Sequence, residues 1–301
     1  VITGRRKETI MTHAFVTDEI ASQPRTWEQA AQLATQVSAV LPQAGERVAF
    51  VGCGTSWFVA MSAAVRRESA GAGISDAFAA SEYPAARDYD RVVAISRSGT
   101  TTEVVELLAR IDAPTTLITA VADSPAAAVA GDVVAMPFAD ERSVVQTRFA
   151  TSALALLRAH LGEDLTGAIA DAERALAVDV EGLAHAEQCT FVATGWAVGL
   201  TYEAALKTRE AAQFWSESYP AMDYRHGPIA IAQPGRLVWS LGGTPAGLRD
   251  EVERTGATFV EHDVDPLAAL VVAQRFAVAL AVSKGLDPDN PRSLTRSVIL
   301  T

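Results

Sequence analysis

Glu203, Lys207 and Glu210 fall at i, i+4 and i+7, with Phe214 at i+11, in a stretch from Thr201 to Trp215 that reads as one helix. The four side chains therefore share a face. Two carboxylates around an ammonium are parts of a proton-transfer site. A Glu203–Lys207 pair at this spacing is equally an ordinary salt bridge on a solvated face. Glu217, Ser218 and Tyr219 follow, then Tyr224-Arg225-His226-Gly227-Pro228, which pins His226 against Gly-Pro beside the charge of Arg225. His13, His160, His185 and His262 lie in ordinary polar or helical contexts. A carboxylate and a histidine near an anion anchor suit proton movement on a phosphosugar. The carboxylate takes a proton next to a carbonyl, and the histidine serves the ring oxygen or a hydroxyl.

The anchor is Ser96-Arg97-Ser98-Gly99-Thr100-Thr101-Thr102. Before it, Val92 to Ile95 reads as a short buried strand; after it, Val104, Leu107 and Leu108 mark one face of a helix. The first N–H groups of such a helix lack intrahelical partners, and its dipole favours negative charge there. Hydroxyls add donors, and Gly99 lets the backbone come close. The spacing matches neither a P-loop nor GxGxxG, so a phosphate ester on a small molecule is the expected guest, not a nucleotide. The same Ser and Thr residues also suit plain helix capping.

These parts need a scaffold of alternating strands and helices. Met11 to Gln43 reads as helical, interrupted at Pro24, with Trp27, Ala30, Ala31, Leu33 and Ala34 as its apolar stripe. Val48 to Val51 is a buried strand leading into Gly52-Cys53-Gly54-Thr55-Ser56 and a helix over Phe58 to Glu68. Phe78 to Ser81 is a weak strand, Thr115 to Val121 a stronger one, Ser124-Pro125 a helix start, and Val133 to Met136 a further strand. Thr151 to Asp179 is mostly helical, with a linker near its end. Thr190 to Gly195 then echoes Ala49 to Gly54, and Arg236 to Ser240 echoes Arg91 to Ile95. The pattern predicts an α/β fold of two doubly wound parallel sheets, in domains of 11–180 and 181–301, with the second copy lacking most of the hydroxyl loop.

At 301 residues the chain is long enough for two domains. A formal charge of −11 and the lack of a basic run argue against nucleic acid, and an acidic chain must hold an anion by a local site. No apolar run approaches the roughly 20 residues of a membrane span. Cys53 and Cys189 read as small buried residues in a reducing compartment, with neither disulfide nor metal expected. Val1 to Ile10 has no apolar region of a signal peptide; Met11 reads as a native start and the cytoplasm as the expected location.

The chain resembles the sugar isomerase (SIS) family in its double-domain form, notably the isomerase half of glucosamine-6-phosphate synthase and stand-alone sugar-phosphate deaminases, ketosamine isomerases and deglycases. The resemblance rests on Glu19-Ile20 with Gln23-Pro24, Cys53-Gly54-Thr55-Ser56, and Ser96 to Thr101 with Arg97 where glutamine is common. It extends through Ser143 to Arg148, Glu203 to Glu210, Arg225 to Pro228 and Asp287 to Pro291. It implies that Ser56, Ser96, Ser98 and Thr101 hold the phosphate, with Thr55 and Arg97 beside them. Cys53, Gly54, Gln146 and Arg296 would touch the rest of the substrate. Glu210 would move the proton between C1 and C2, with Lys207 near the sugar. His226 would assist ring opening from a second subunit, in a homodimer or larger homo-oligomer. The implied ligand is a small-molecule phosphosugar, with no cofactor, metal, nucleic acid or membrane partner. Two departures stand out. The synthase's glutaminase domain has no counterpart in this sequence, and arginine occupies the position of its Schiff-base lysine, at Arg296. A guanidinium stays protonated and forms no imine, although it can clamp a substrate oxygen. The expectation is isomerisation or deamination of a hexose or hexosamine 6-phosphate. A fructosamine-phosphate deglycase and a non-catalytic phosphosugar sensor are the alternatives.

Overall fold

The computed structural model describes residues 15–300, so Met11 and His13 lie outside the described residues. The chain opens with α1 (Phe15–Ala21) and α2 (Gln23–Gln36). The break falls at Ser22, whose hydroxyl donates to the Glu19 carbonyl at 2.7 Å. Pro24 does not interrupt a helix; it sits in the first turn of α2, where its missing N–H has no partner to lose.

The first sheet contains β1 (Val48–Gly52), β2 (Ser75–Ala79), β3 (Arg91–Ile95), β4 (Thr115–Thr119) and β5 (Asp132–Ala135). Its order is β2-β1-β3-β4-β5, every pair parallel. Between the strands run α3 (Thr55–Ser69), α4 (Thr102–Arg110) and α5 (Pro125–Val129). The long helical stretch that follows is two helices, α6 (Arg148–His160) and α7 (Thr166–Ala175), with left-handed Gly162 in the turn between them. The second sheet contains β6 (Gln188–Ala193), β7 (Ser216–Pro220), β8 (Arg236–Ser240) and β9 (Thr258–Glu261), in the parallel order β7-β6-β8-β9. That order repeats the first sheet without its last strand.

The remaining helices are α8 (Val198–Ala212), α9 (Leu248–Glu253) and α10 (Pro266–Ser283). Sequence periodicity assigns no element between residues 245 and 286, because α10 is apolar on nearly every side and shows no stripe. Its 18 residues, of mean hydropathy 1.7, meet the length and composition of a membrane span. In the fold most of that helix is core: Leu267, Leu270, Val271, Phe276 and Leu280 are buried in one cluster with Phe50, Phe191 and Trp239 from both sheets and Phe149 from α6. The outer face of the first sheet packs under α4 and α5 around Val92 and Leu117, and that of the second under α9 around Val238 and Val252.

The two sheets are joined where α3 crosses the start of α8. A Cβ on Gly199 would lie 2.4 Å from both the Phe58 carbonyl oxygen and Ser62 Oγ. Gly199→Ala is therefore expected to push α8 off α3 and destabilise the protein by roughly 1–3 kcal/mol. A denaturant midpoint equal to that of the wild type would show that the crossing tolerates a methyl group.

Candidate active site

In the first sheet, β1 connects towards β2 and β3 towards β4, in opposite directions. The crevice beyond their carboxyl ends is the switch point of the sheet. The two hydroxyl loops both emerge there: Cys53 to Ser56 from β1 into α3, and Ser96 to Thr101 from β3 into α4. Thr55 and Ser56 form the buried first turn of α3, and Thr101 is the extended N-cap residue of α4. Within the second loop Ser96 Oγ accepts from Gly99 N at 3.2 Å, and Ser98 Oγ accepts from Thr100 N at 3.2 Å.

From the other sheet, α8 carries Glu203, Lys207 and Glu210 to the start of α3. The Lys207 ammonium is 1% exposed; it donates to Glu210 at 2.5 Å and to Thr55 Oγ1 at 3.0 Å, with Glu203 at 3.4 Å. Burial would lower its pKa, but the Glu203 and Glu210 carboxylates outweigh that and hold it above the ordinary lysine value. Lys207 is accordingly an ammonium at neutral pH and not an amine nucleophile. Glu210 is 19% exposed and Glu203 fully buried, so Glu210 is the carboxylate open to a ligand. Phe214 does not share the face: Gln213, at φ 48°, ends α8 in a left-handed turn, and Phe214 packs edge-on against Phe276. Burial, then the nearby Glu103 charge, pushes the Cys53 thiol up to about 11, so it is no thiolate at neutral pH.

Arg97 departs from the expectation of a phosphate ligand. Its guanidinium is buried and donates to the carbonyls of Ser143 at 3.0 Å, Val144 at 3.3 Å and Arg296 at 2.9 Å, with Glu141 at 3.6 Å. Its positive charge is spent joining the loop before α6 to the C-terminal segment. Arg296 also faces away from a substrate clamp, bonding to the Glu141 carbonyl and the Asp140 carboxylate. That segment lies over the start of α4: the Val298 carbonyl accepts from Thr102 N at 3.2 Å, and Ser297 Oγ lies 2.8 Å from Thr100 Oγ1. Gln146 stands in the loop before α6 with its buried Oε1 unpartnered among the described residues.

His226 is not brought to these groups. It ends a short 3₁₀ turn, Asp223–His226, exposed between β7 and β8. Among the described residues no hydrogen bond or ion pair links it to Lys207, Glu210 or either hydroxyl loop. Arg225 is turned away onto Glu251, at 2.7 and 3.0 Å.

Sequence reasoning gave no site role to Glu141, and left Glu203 as half of a possible surface pair. Glu141 is buried and accepts from Thr147 N at 2.6 Å, Thr147 Oγ1 at 2.8 Å and Arg148 N at 2.8 Å, capping α6. Glu19 accepts from Arg142 N at 2.5 Å and from Ser143 N at 3.3 Å, and so holds the same loop from α1. Asp289 accepts from Phe15 N at 2.6 Å and Val16 N at 2.8 Å, tying the start of the described chain to its end. Among the described residues no group of three or more His, Cys, Asp or Glu side chains is placed to hold a metal. A cavity of about 670 Å³ beneath α1 and α10, lined by Ile20, Val180 and Arg275, contains none of the site residues named above.

Residues 41–161 match the SIS domain family, a span that includes both hydroxyl loops. The chain is 26% identical to a glutamine–fructose-6-phosphate aminotransferase (isomerizing) of Aeropyrum pernix, over 94% of this chain and 57% of that protein. With the enzyme of the same name from Sulfolobus acidocaldarius it shares 30% identity over 84% of this chain and 50% of that protein. The chain thus spans about half the length of these curated relatives. Its fold is similar to that of a glucosamine-6-phosphate deaminase from Thermotoga maritima, at TM-score 0.81 and 24% identity, covering 95% of this chain and 100% of that one.

Proposed function

We propose that this SIS-domain chain is a phosphosugar isomerase or deaminase that acts on a hexose or hexosamine 6-phosphate by moving a proton between C1 and C2. The observation that carries the reading is the Lys207 ammonium, which bonds at once to Glu210 on α8 and to Thr55 beside the first hydroxyl loop. It couples a partly exposed base to an anion cradle across the two sheets. The similarity to isomerizing aminotransferases and to a sugar-phosphate deaminase supports the same class.

In this reading Ser56, Ser96, Ser98 and Thr101, with the first N–H groups of α3 and α4, receive the phosphate. Thr102 N takes part once it is released from Val298. Cys53, Gly54 and Gln146 line the sugar. The Glu210 carboxylate removes the proton on the carbon next to the carbonyl, and Lys207 faces the oxygen on which charge develops. Returning the proton to the neighbouring carbon completes aldose–ketose isomerisation. With a 2-amino sugar the same shift gives a ketose imine, which takes up water and releases ammonia. Neither Lys207, held charged, nor Arg296 forms an imine with the substrate, so the chemistry is proton transfer without a covalent enzyme intermediate. His226, exposed on its own chain, serves the site of a neighbouring copy in a homo-oligomer.

The test supplies glucosamine, galactosamine and fructosamine 6-phosphates and the neutral hexose 6-phosphates, and follows ammonia and ketose together. Ammonia with ketose phosphate from the amino sugars is the deaminase outcome. Interconversion of neutral sugars alone is the isomerase outcome. Amine release confined to fructosamine phosphates makes the protein a deglycase, and binding without product replaces the enzyme by a sensor.

A further inference from the structure

Glu203 is more deeply buried than a salt bridge requires. Its carboxylate is fully enclosed, with the Lys207 ammonium at 3.4 Å and the Thr55 hydroxyl as its polar neighbours, and among the described residues neither oxygen makes a close, well-aligned hydrogen bond. Enclosed carboxylates normally collect N–H and O–H donors, as Glu19 and Glu141 do in this fold. The cation beside Glu203 is Lys207 at 3.4 Å, and that ammonium makes closer contacts with Glu210 and Thr55. Structure alone gives little reason to keep so weakly satisfied a carboxylate there, since an apolar side chain of similar volume is often as stable.

We infer that Glu203 is a positioning residue that sets the basicity of Glu210 by competing with it for the Lys207 ammonium. The inference rests on Glu210 acting as the base in the reaction proposed above. When Glu203 is ionised, Lys207 divides its charge between two carboxylates, and Glu210 keeps a high affinity for the carbon-bound proton. When Glu203 is protonated, Lys207 pairs with Glu210 alone and Glu210 becomes a weaker base. During turnover Glu210 carries the proton and is neutral. Ionised Glu203 then keeps Lys207 an ammonium facing the developing oxyanion. The transferred proton leaves one carbon, rests on Glu210 and returns to the next carbon; Glu203 exchanges none with the substrate.

Burial raises the Glu203 carboxyl to about 7, with Lys207 opposing the shift and Glu210 adding to it, so the switch lies in the neutral range. The groups around it are few. On α8, Arg209 also feels Glu203 but donates to the Ser216 carbonyl on β7. From α3 comes the Thr55 hydroxyl, and from the loop before α6 Glu141 acts on Lys207 at longer range. α10 places Lys284 at the far end of α8, on the Ala212 carbonyl.

The experiment compares kcat/KM against pH for the wild type and Glu203→Gln, with thermal unfolding of both across the same range. The wild-type rate is expected to rise about tenfold as Glu203 ionises through neutral pH. Glu203→Gln should lose that rise and stay at the low-pH level. The unfolding comparison has a fixed sign. A carboxyl raised in the folded state stabilises fully below its unfolded pKa, and that contribution is lost as pH climbs through about 7. The Tm of Glu203→Gln should therefore gain on the wild type between roughly pH 5 and pH 8. If the glutamine variant does not fold, Glu203→Met provides the same two readouts with an apolar side chain. Turnover with an unchanged pH limb in the variant, or a Tm difference independent of pH, overturns the role of Glu203 and leaves the proposed reaction standing. No turnover from any phosphosugar overturns both.

Discussion

Glu210→Gln is expected to lower kcat roughly 10³–10⁴-fold while phosphosugar affinity stays near that of the wild type. Glutamine fits the same volume, and Lys207 keeps Glu203 at 3.4 Å and Thr55 at 3.0 Å, so the charge at the site remains balanced. What disappears is an anionic oxygen able to accept a proton from carbon. A plain kinetic assay is joined by solvent-deuterium incorporation at C1 and C2, which reports proton abstraction even when product is slow to leave. Turnover within tenfold of the wild type would place the base elsewhere. Loss of binding along with rate would make Glu210 part of substrate recognition.

The second large effect is expected at Gly99, which lies far from any transferred proton. It sits at φ +62°, and a Cβ there would lie 1.9 Å from Ser124 Oγ and 2.5 Å from Ser124 Cβ. Ser124 cannot simply turn away, because its hydroxyl accepts from Ala127 N and caps α5. Gly99→Ala must therefore move the hydroxyl loop, breaking the Ser96–Gly99 bond and displacing Ser98. Phosphosugar affinity is expected to fall about 100-fold, the equivalent of roughly 3 kcal/mol. Protection against thermal unfolding by inorganic phosphate should vanish with it. The rate at saturating substrate should fall much less, because among the described residues the bonds of Lys207 run to Glu210 and Thr55 and not to this loop. A variant that keeps wild-type affinity for phosphate would show that the anion is held elsewhere.

The site divides as the fold does. The cradle belongs to the switch point between β1 and β3, and the base belongs to a helix of the other sheet. The α3–α8 crossing at Gly199 holds them in register. Movement there would separate Lys207 from Thr55.

Much of this architecture is local and therefore legible in the chain. Runs such as Val48 to Val51 and Val92 to Ile95 are apolar throughout and rich in β-branched residues, which in an α/β chain means strands buried on both faces. The hydroxyls around Gly99 mark the strand-to-helix turn by their own conformational needs. The i, i+4, i+7 spacing put Glu203, Lys207 and Glu210 on one face, and the structure keeps them there. Sequence pattern could not tell whether that face meets solvent or core, because a charged stripe looks the same in both cases. Burial beneath α3 decided it, and turned an ordinary salt bridge into a charge-sharing triad. The partners of Arg97 and Arg296 were illegible for a related reason. Residue type announces a cation, but only the packed chain shows which carbonyls and carboxylates have already taken it. His226 carries the same lesson in the other direction: its loop is recognisable from Gly227-Pro228, while its exposed place follows from the turn between β7 and β8. Strands, turns and helix faces are set by neighbours a few residues away, whereas the electrostatics of the site depend on contacts between residues as far apart as Thr55 and Lys207.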